Sequence, residues 1–136
     1  MKPTFIKIYL FLAVLMIQLG FTGDGMPLKY ISSCEIDLNG DGRADKALLV
    51  EGIPGRELLV LLAKKDGYET FVVSRGKDRM FLICEVGSEV KETMAGSGKG
   101  KIYKTPGSYL KLMKPESSSV AFFWNQSGFQ EVWTSD

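Results

Sequence analysis

The chain has 136 residues, carries 17 Lys and Arg against 16 Asp and Glu, and contains no histidine. This length is typical of one domain, and a net charge near zero argues against nucleic acid or an anionic membrane as the main partner. Without histidine the chain has no Ser-His-Asp triad, no histidine acid–base pair and no imidazole ligand for zinc.

Residues 1–25 have the pattern of a secretory signal peptide. Lys2 and Lys7 flank the start of an apolar run, IYLFLAVLMIQLGF, which is followed by the small and polar residues TGDG. The run is short for a membrane span. We expect cleavage between Thr22 and Gly25, so that residues 26–136 form one periplasmic or extracellular domain without a stable membrane span. An uncleaved N-terminal anchor is the alternative.

Both cysteines, Cys34 and Cys84, fall in the exported part. In an oxidising compartment such a pair predicts one disulfide. The sequence ISSC at 31–34 also matches the site at which bacterial lipoproteins are cleaved and lipidated. That site should directly follow the apolar run, which it does not, and lipidation would leave Cys84 without its partner. Both observations argue against a lipoprotein.

Short apolar or alternating segments, separated by turn residues, follow one another along the exported part. They predict strands at 30–36, 46–51, 57–63, 68–74, 80–86, 109–114, 120–124 and 129–133. The polar, glycine-rich segment 87–108 predicts mostly loop, with one short strand near Val90–Met94. About eight short strands with frequent turns indicate a mainly β fold: an antiparallel sandwich, a partial barrel or a twisted meander.

The segment DLNGDGRAD at 37–45 has the spacing of a calcium loop. Calcium takes six to eight oxygen ligands, several of them carboxylate. Alternate positions of the loop supply these oxygens, from the side chains of Asp37, Asn39, Asp41 and Asp45 and the backbone carbonyl of Arg43. Glycines at 40 and 42 allow the backbone to wrap around an ion. Because crowded carboxylates repel one another, a bound cation would stabilise this loop.

The helix–loop–helix calcium motif also requires a bidentate Glu at its twelfth position, where this chain has Leu48. The loop instead resembles the D-x-D/N-G-D-G-x-x-D motif of FG-GAP and VCBS repeats, over about residues 35–51. That resemblance implies a calcium ion held by the five residues named above. A β-propeller needs several such blades, and the motif occurs once here. We therefore expect a structural calcium ion, and the alternative is an Asx-rich turn without metal.

Two further patterns bear on nucleotide binding and catalysis. The segment AGSGKGK at 95–101 lacks the glycine and hydroxyl positions of a phosphate-binding loop, so it predicts a surface loop. Glu85, Glu89 and Glu92 are the carboxylates that hydrolysis without histidine would use. Nothing in the sequence places two of them across a cleft, so solvated surface glutamates are the simpler interpretation.

The turn Asn125-Gln126-Ser127-Gly128 joins two aromatic strands into a C-terminal hairpin. This hairpin has two interpretations. Both faces of its first strand are apolar, so at least one face is core. A surplus aromatic face could bind a partner, since Trp is enriched at such surfaces. The candidate residues for such a surface are Phe122, Trp124, Phe129 and Trp133.

Together these patterns predict an exported, non-enzymatic binding or interaction module of the cell envelope with a structural calcium site. Its partner would be an unidentified protein or glycan. Two alternatives stay open: an envelope enzyme acting on glycans through carboxylates, and a metal-free structural accessory protein.

Overall fold

The computed structural model describes residues 28–53, 55–77, 79–94 and 98–135. The predicted signal peptide at 1–25 and the first three residues of the AGSGKGK segment, 95–97, lie outside these residues. Within the described ranges, no helix has the length and apolar character needed to span a membrane.

Eight antiparallel strands form two four-stranded sheets in the part of the chain that the structure describes, and the sheets do not close into a barrel. Each strand pairs with the next along the chain, so each sheet is a meander. The first sheet contains β1 (Lys29–Ile36), β2 (Asp45–Glu51), β3 (Arg56–Lys64) and β4 (Gly67–Arg75). The second contains β5 (Phe81–Lys91), β6 (Ile102–Met113), β7 (Ser119–Trp124) and β8 (Phe129–Ser135). The predicted mainly β fold is confirmed.

The main core lies between the two sheets. Alternate side chains point inward along the central strands, as the two-residue period of a strand requires. Its buried members are Leu38, Ala47, Leu49, Leu58, Val60, Leu62, Met80, Leu110, Leu112, Val120 and Phe122. Because both sheets contribute side chains to one cluster, the sheets pack face to face, which is the sandwich among the predicted architectures.

The β5–β6 hairpin is longer than the sequence predicted. Segment 87–108 was expected to be mostly loop, whereas β5 continues to Lys91 and β6 begins at Ile102. The strand register shifts between Gly87 and Glu89, and the bulge breaks the apolar alternation that signals a strand. The loop prediction is wrong here because pairing across a bulge depends on the opposite strand.

The far half of this hairpin, which we call the distal hairpin (residues 89–91 and 102–104), bends over the outer face of the second sheet. Val90 and Tyr103 form a second buried cluster with residues of β7 and β8. The rings of Tyr103 and Phe123 are 5.7 Å apart. The backbone N–H of Thr93 donates to the carbonyl of Trp133 at 2.8 Å, so the end of the hairpin reaches β8.

A disulfide joins Cys34 of β1 to Cys84 of β5, as predicted, with the two Cα atoms 6.3 Å apart. It crosslinks the first strand of one sheet to the first strand of the other. The link therefore supplements the apolar contacts of the core in holding the two sheets together.

Candidate functional site

Asp45 is the buried end of the 37–45 loop. Its side chain is 0% exposed. Oδ2 accepts the backbone N–H of Leu38 at 2.8 Å, and Oδ1 accepts the backbone N–H of Ala63 at 2.7 Å. One carboxylate thus joins the two ends of the loop and ties both to β3.

The first half of the loop wraps around the carboxylate of Asp37. Oδ1 accepts backbone N–H groups from Gly40 at 2.7 Å and Asp41 at 3.2 Å, and Oδ2 accepts that of Gly42 at 2.8 Å. Gly40 and Gly42 have φ values of 76° and 82°, a left-handed conformation that glycine adopts without strain. The two glycines therefore allow the tight wrap that the sequence predicted.

The remaining predicted ligands lie on the outer side of the loop. Asn39 Oδ1 accepts the backbone N–H of Asp41 at 3.1 Å, and Asp41 Oδ1 accepts that of Arg43 at 2.9 Å. The Arg43 guanidinium lies 3.7 Å from Asp41 Oδ2. The side chains of Asp37, Asn39 and Asp41 are thus brought into a single turn, while Asp45 is held apart in the interior.

This arrangement fits a calcium ion in part. Each carboxylate oxygen has two lone pairs, so Asp37 Oδ2, Asn39 Oδ1 and Asp41 keep acceptor capacity beyond the bonds described. Asp45 keeps capacity too but is enclosed. Among the described residues, no three Asp, Glu or Cys side chains are grouped as a metal would require. The outer residues fit as ligands, and Asp45 fits as the anchor of the loop.

The loop also contacts the second sheet, which the sequence did not predict. Leu38 is fully buried in the main core. The hydroxyl of Ser108 in β6 donates to the backbone carbonyl of Asp37. A Cβ placed on Gly40 would lie 3.2 Å from Cβ of Pro106. Leu38, an apolar residue inside an acidic loop, was the one local signal that the loop packs against the core.

The aromatic residues of the C-terminal hairpin do not form one surface. Phe122 is 1% exposed and belongs to the main core, so it offers no surface to a partner. Trp124 and Phe129 are half-buried and make edge-on contacts with Phe71 of β4, at 5.5 and 5.7 Å between ring centres. Only Trp133 among the four candidates is exposed, at 41%, and Lys77 Nζ lies 4.6 Å from its ring centre.

The three glutamates weighed for hydrolysis are each engaged by a neighbouring donor. Glu85 accepts the hydroxyl of Tyr109, and Lys111 Nζ lies 3.8 Å from its other oxygen. Burial, and then the hydrogen bond to Glu85, raise the pKa of Tyr109 to about 12. Glu89 is paired with Lys104, and Glu92 accepts the backbone N–H of Lys99 at 3.1 Å.

Strand β4 forms an open edge of the first sheet, because within the described residues it pairs only with β3. An open groove of about 500 Å³ runs along it, lined by Tyr68, Glu69, Thr70 and Val72. The apolar side chains of Tyr68 and Val72 are 46% and 47% exposed. This edge was not among the candidate surfaces identified from the sequence.

The backbone of this edge can be oriented from the strand register. Lys64 and Gly67 close a two-residue turn and therefore form a hydrogen-bonded pair. Hydrogen-bonded and non-bonded pairs alternate along antiparallel strands. Glu69 and Phe71 thus bond to β3, and the N–H and C=O groups of Tyr68, Thr70 and Val72 point away from the sheet.

Comparison with known proteins adds no relatives. No protein-family model matches the sequence, and no curated protein or solved structure is similar enough to match. The FG-GAP resemblance of the 37–45 loop therefore stays a prediction based on its own residues.

Proposed function

We propose that this protein is an exported, non-enzymatic binding module of the cell envelope that takes up an extended polypeptide segment along β4. The observation that supports this function is the open edge. Tyr68, Thr70 and Val72 direct outward backbone donors and acceptors that no other described strand pairs, and they also line the groove. An added strand satisfies such groups by continuing the sheet.

The side chains of the edge indicate the chemistry of the partner. Tyr68 and Val72 lie on the same face of β4 with Thr70 between them, and both present apolar surface. A bound strand would place alternate side chains on that face. The partner segment should therefore carry apolar or β-branched residues at alternate positions, since aromatic and β-branched cross-strand pairs are favourable.

Export is supported by two features. The Cys34–Cys84 disulfide is typical of an oxidising compartment. The pattern of residues 1–25 is that of a signal peptide, and periplasmic or extracellular location is part of the proposal.

Photo-cross-linking tests the binding edge in cells that express the protein. A photoreactive phenylalanine derivative replaces Tyr68 in one variant and Val86 in a control, because Val86 is 87% exposed on the edge strand β5 of the other sheet. We expect polypeptide cross-links from position 68 and few from position 86. Val72→Lys should reduce the former, because a lysine on an edge strand opposes strand addition, and Val86→Lys should not.

Equal cross-linking from both positions, or cross-links from position 68 that Val72→Lys leaves unchanged, would contradict this function. Cross-links that join two copies of the chain would identify a second copy of this protein as the source of the added strand. Cross-links to a second polypeptide would identify a separate partner.

We also propose that the 37–45 loop binds one calcium ion with a structural role. Asp37, Asn39, Asp41 and the carbonyl of Arg43 would hold it, together with water, and Asp45 would fix the loop. The ion would neutralise the exposed carboxylates and replace the Arg43 guanidinium beside Asp41. Affinity in the range of extracellular modules, Kd about 10⁻⁴–10⁻³ M, would suffice.

Thermal melting with millimolar calcium or with chelator tests this site. Binding to the folded state alone raises the midpoint. We expect a higher midpoint with calcium for the wild type and for Asp66→Asn, a control in the exposed β3–β4 turn. The shift should be lost in Asp41→Ala. An unchanged wild-type midpoint would remove the calcium site.

A metal-free structural loop is the second candidate, and one observation favours it. Every carboxylate of the loop already accepts at least one N–H group, and Arg43 lies close to Asp41. In that case the loop serves only to join β1 to β2 and to the second sheet, and melting is independent of calcium.

A further inference from the structure

The 37–45 loop and the bend of the β5–β6 hairpin meet at one small contact. The Ser108 hydroxyl donates to the carbonyl of Asp37, and Gly40 lies against Pro106. Asp37 is also the residue around whose carboxylate the loop is wrapped. The loop residue that organises the turn is therefore the one that bonds to β6.

The β6 side of this contact is the point at which the hairpin changes direction. Gly107, between Pro106 and Ser108, has a φ of 128° and pairs with Gly87 of β5. The register shift follows directly after this pair, between Gly87 and Glu89. The Thr105 hydroxyl donates to the carbonyl of Gly87. Two paired glycines next to a bulge allow a backbone bend that other residues resist.

Beyond the bend, the distal hairpin is held by one small cluster and, at its end, by the hydrogen bond to β8 described above. Val90 is buried against Phe123 and its neighbours, but Lys91, Ile102 and Lys104 are exposed. The exchange of its backbone amides should therefore reflect a low-energy local opening rather than global unfolding.

We propose that the 37–45 loop is a latch that sets the position of the distal hairpin, with Asp37 and Ser108 as the coupled pair. An ordered loop presents the Asp37 carbonyl to Ser108 and keeps Gly40 against Pro106. When the loop loosens, the Ser108–Asp37 hydrogen bond and the Gly40–Pro106 contact are lost, and the distal hairpin becomes more mobile. The calcium-dependent form of this coupling depends on the proposed calcium site, whereas the mechanical coupling does not.

Hydrogen exchange of the purified protein tests the latch through a double-mutant comparison. Asp37→Asn replaces an acceptor oxygen with an amide donor and should loosen the loop. We expect it to speed amide exchange in the distal hairpin at least about threefold, while the β3–β4 turn stays unchanged. In the Ser108→Ala background, Asp37→Asn should add little, because the link is already broken. Ser127→Ala, in the exposed β7–β8 turn, is the matched control background and should leave the Asp37→Asn effect intact.

Two results would overturn the latch. One is faster exchange in the loop without any change in the distal hairpin. The other is an equal effect of Asp37→Asn with and without the Ser108 hydroxyl. If Ser108→Ala does not fold, Asp41→Asn, at an exposed loop position, repeats the single-variant test on the native Ser108.

A calcium arm separates this proposal from the proposed calcium site. If calcium slows exchange in the loop, it should slow exchange in the distal hairpin of the wild type and not in Ser108→Ala. If calcium changes neither segment, the calcium site fails, and the Asp37→Asn comparison still decides the latch.

Discussion

The Asp45 carboxylate accepts the backbone N–H of Ala63, 18 residues further along the chain, at 2.7 Å. Its other oxygen accepts the N–H of Leu38 at 2.8 Å. Asp45 is 0% exposed, so a buried charge is stabilised by two main-chain donors, one from the loop and one from β3. This pairing makes Asp45 the structural centre of the motif, whatever the loop binds.

Asp45→Asn should lower the free energy of unfolding by about 1–3 kcal/mol. Asparagine keeps the size of the side chain but turns an amide donor toward one of two buried N–H groups, which then lacks an acceptor. Denaturant-induced unfolding measures the loss, with Asp66→Asn as the exposed control. Equal stability of the two variants would show that the Asp45 hydrogen bonds contribute nothing.

Gly40→Ala should destabilise the protein more than Gly42→Ala. Both glycines have φ near 80°, so alanine is strained at both, at a cost of about 1–2 kcal/mol. Only at position 40 does the new Cβ meet another residue, Pro106 at 3.2 Å, while nothing lies within 4 Å at position 42. We expect a further loss of about 1 kcal/mol at position 40. Equal losses of unfolding free energy in the two variants, measured by denaturant unfolding, would show that Pro106 moves aside without cost.

Breaking the disulfide should lower stability by about 3–4 kcal/mol, because the Cys34–Cys84 link closes a segment of 50 residues in the unfolded chain. The paired variant Cys34→Ser with Cys84→Ser should unfold at lower denaturant than the oxidised wild type. Reduced wild type should match the variant. Peptide mass spectrometry without reductant checks that the two cysteines are joined.

Tyr109 should make stability depend on pH in the alkaline range. Its pKa rises from 10.0 to about 12 through burial and the hydrogen bond to Glu85. The folded state thus favours the neutral hydroxyl, and its contribution is fully present below pH 10 and lost as pH rises through 12. The difference in unfolding free energy between wild type and Tyr109→Phe, about 1 kcal/mol near neutral pH, should shrink over that interval.

Ultraviolet titration provides the accompanying measurement for Tyr109. The absorbance change of tyrosinate at high pH should contain one late-titrating component in the folded wild type and lack it in Tyr109→Phe. An early titration of all tyrosines would contradict the burial and hydrogen bonding of this hydroxyl.

Local sequence patterns predicted most of the fold. Alternating and apolar segments bounded by turn residues located all eight strands, and the tight turn at Asn125–Gly128 closes with Asn125 N–H donating to the Gly128 carbonyl at 2.8 Å. The disulfide followed from a pair of cysteines in the part of the chain predicted to be exported. The sequence did not predict the extension of β5 and β6, because that extension depends on pairing across the Gly87–Glu89 bulge.

The candidate site likewise has some features that the local sequence predicts and others that depend on the tertiary structure. The spacing of 37–45 predicted a wrapped loop with two permissive glycines, because both properties arise within nine consecutive residues. The burial of Asp45 and the link from Asp37 to Ser108 join residues far apart in sequence. The aromatic hairpin was ambiguous because both of its faces are apolar, and only packing shows that Phe122 is core while Trp133 is exposed.

By itself, then, the sequence determined the elements whose causes are local: strand periodicity, turn chemistry, the wrapped 37–45 loop and the cysteine pair. The tertiary structure decided which face of each strand is buried, that β4 lies at an edge of the first sheet among the described strands, and which residues the loop contacts. Those properties depend on how the two sheets pack against each other. Burial and hydrogen bonding between distant residues arise only when the whole chain folds.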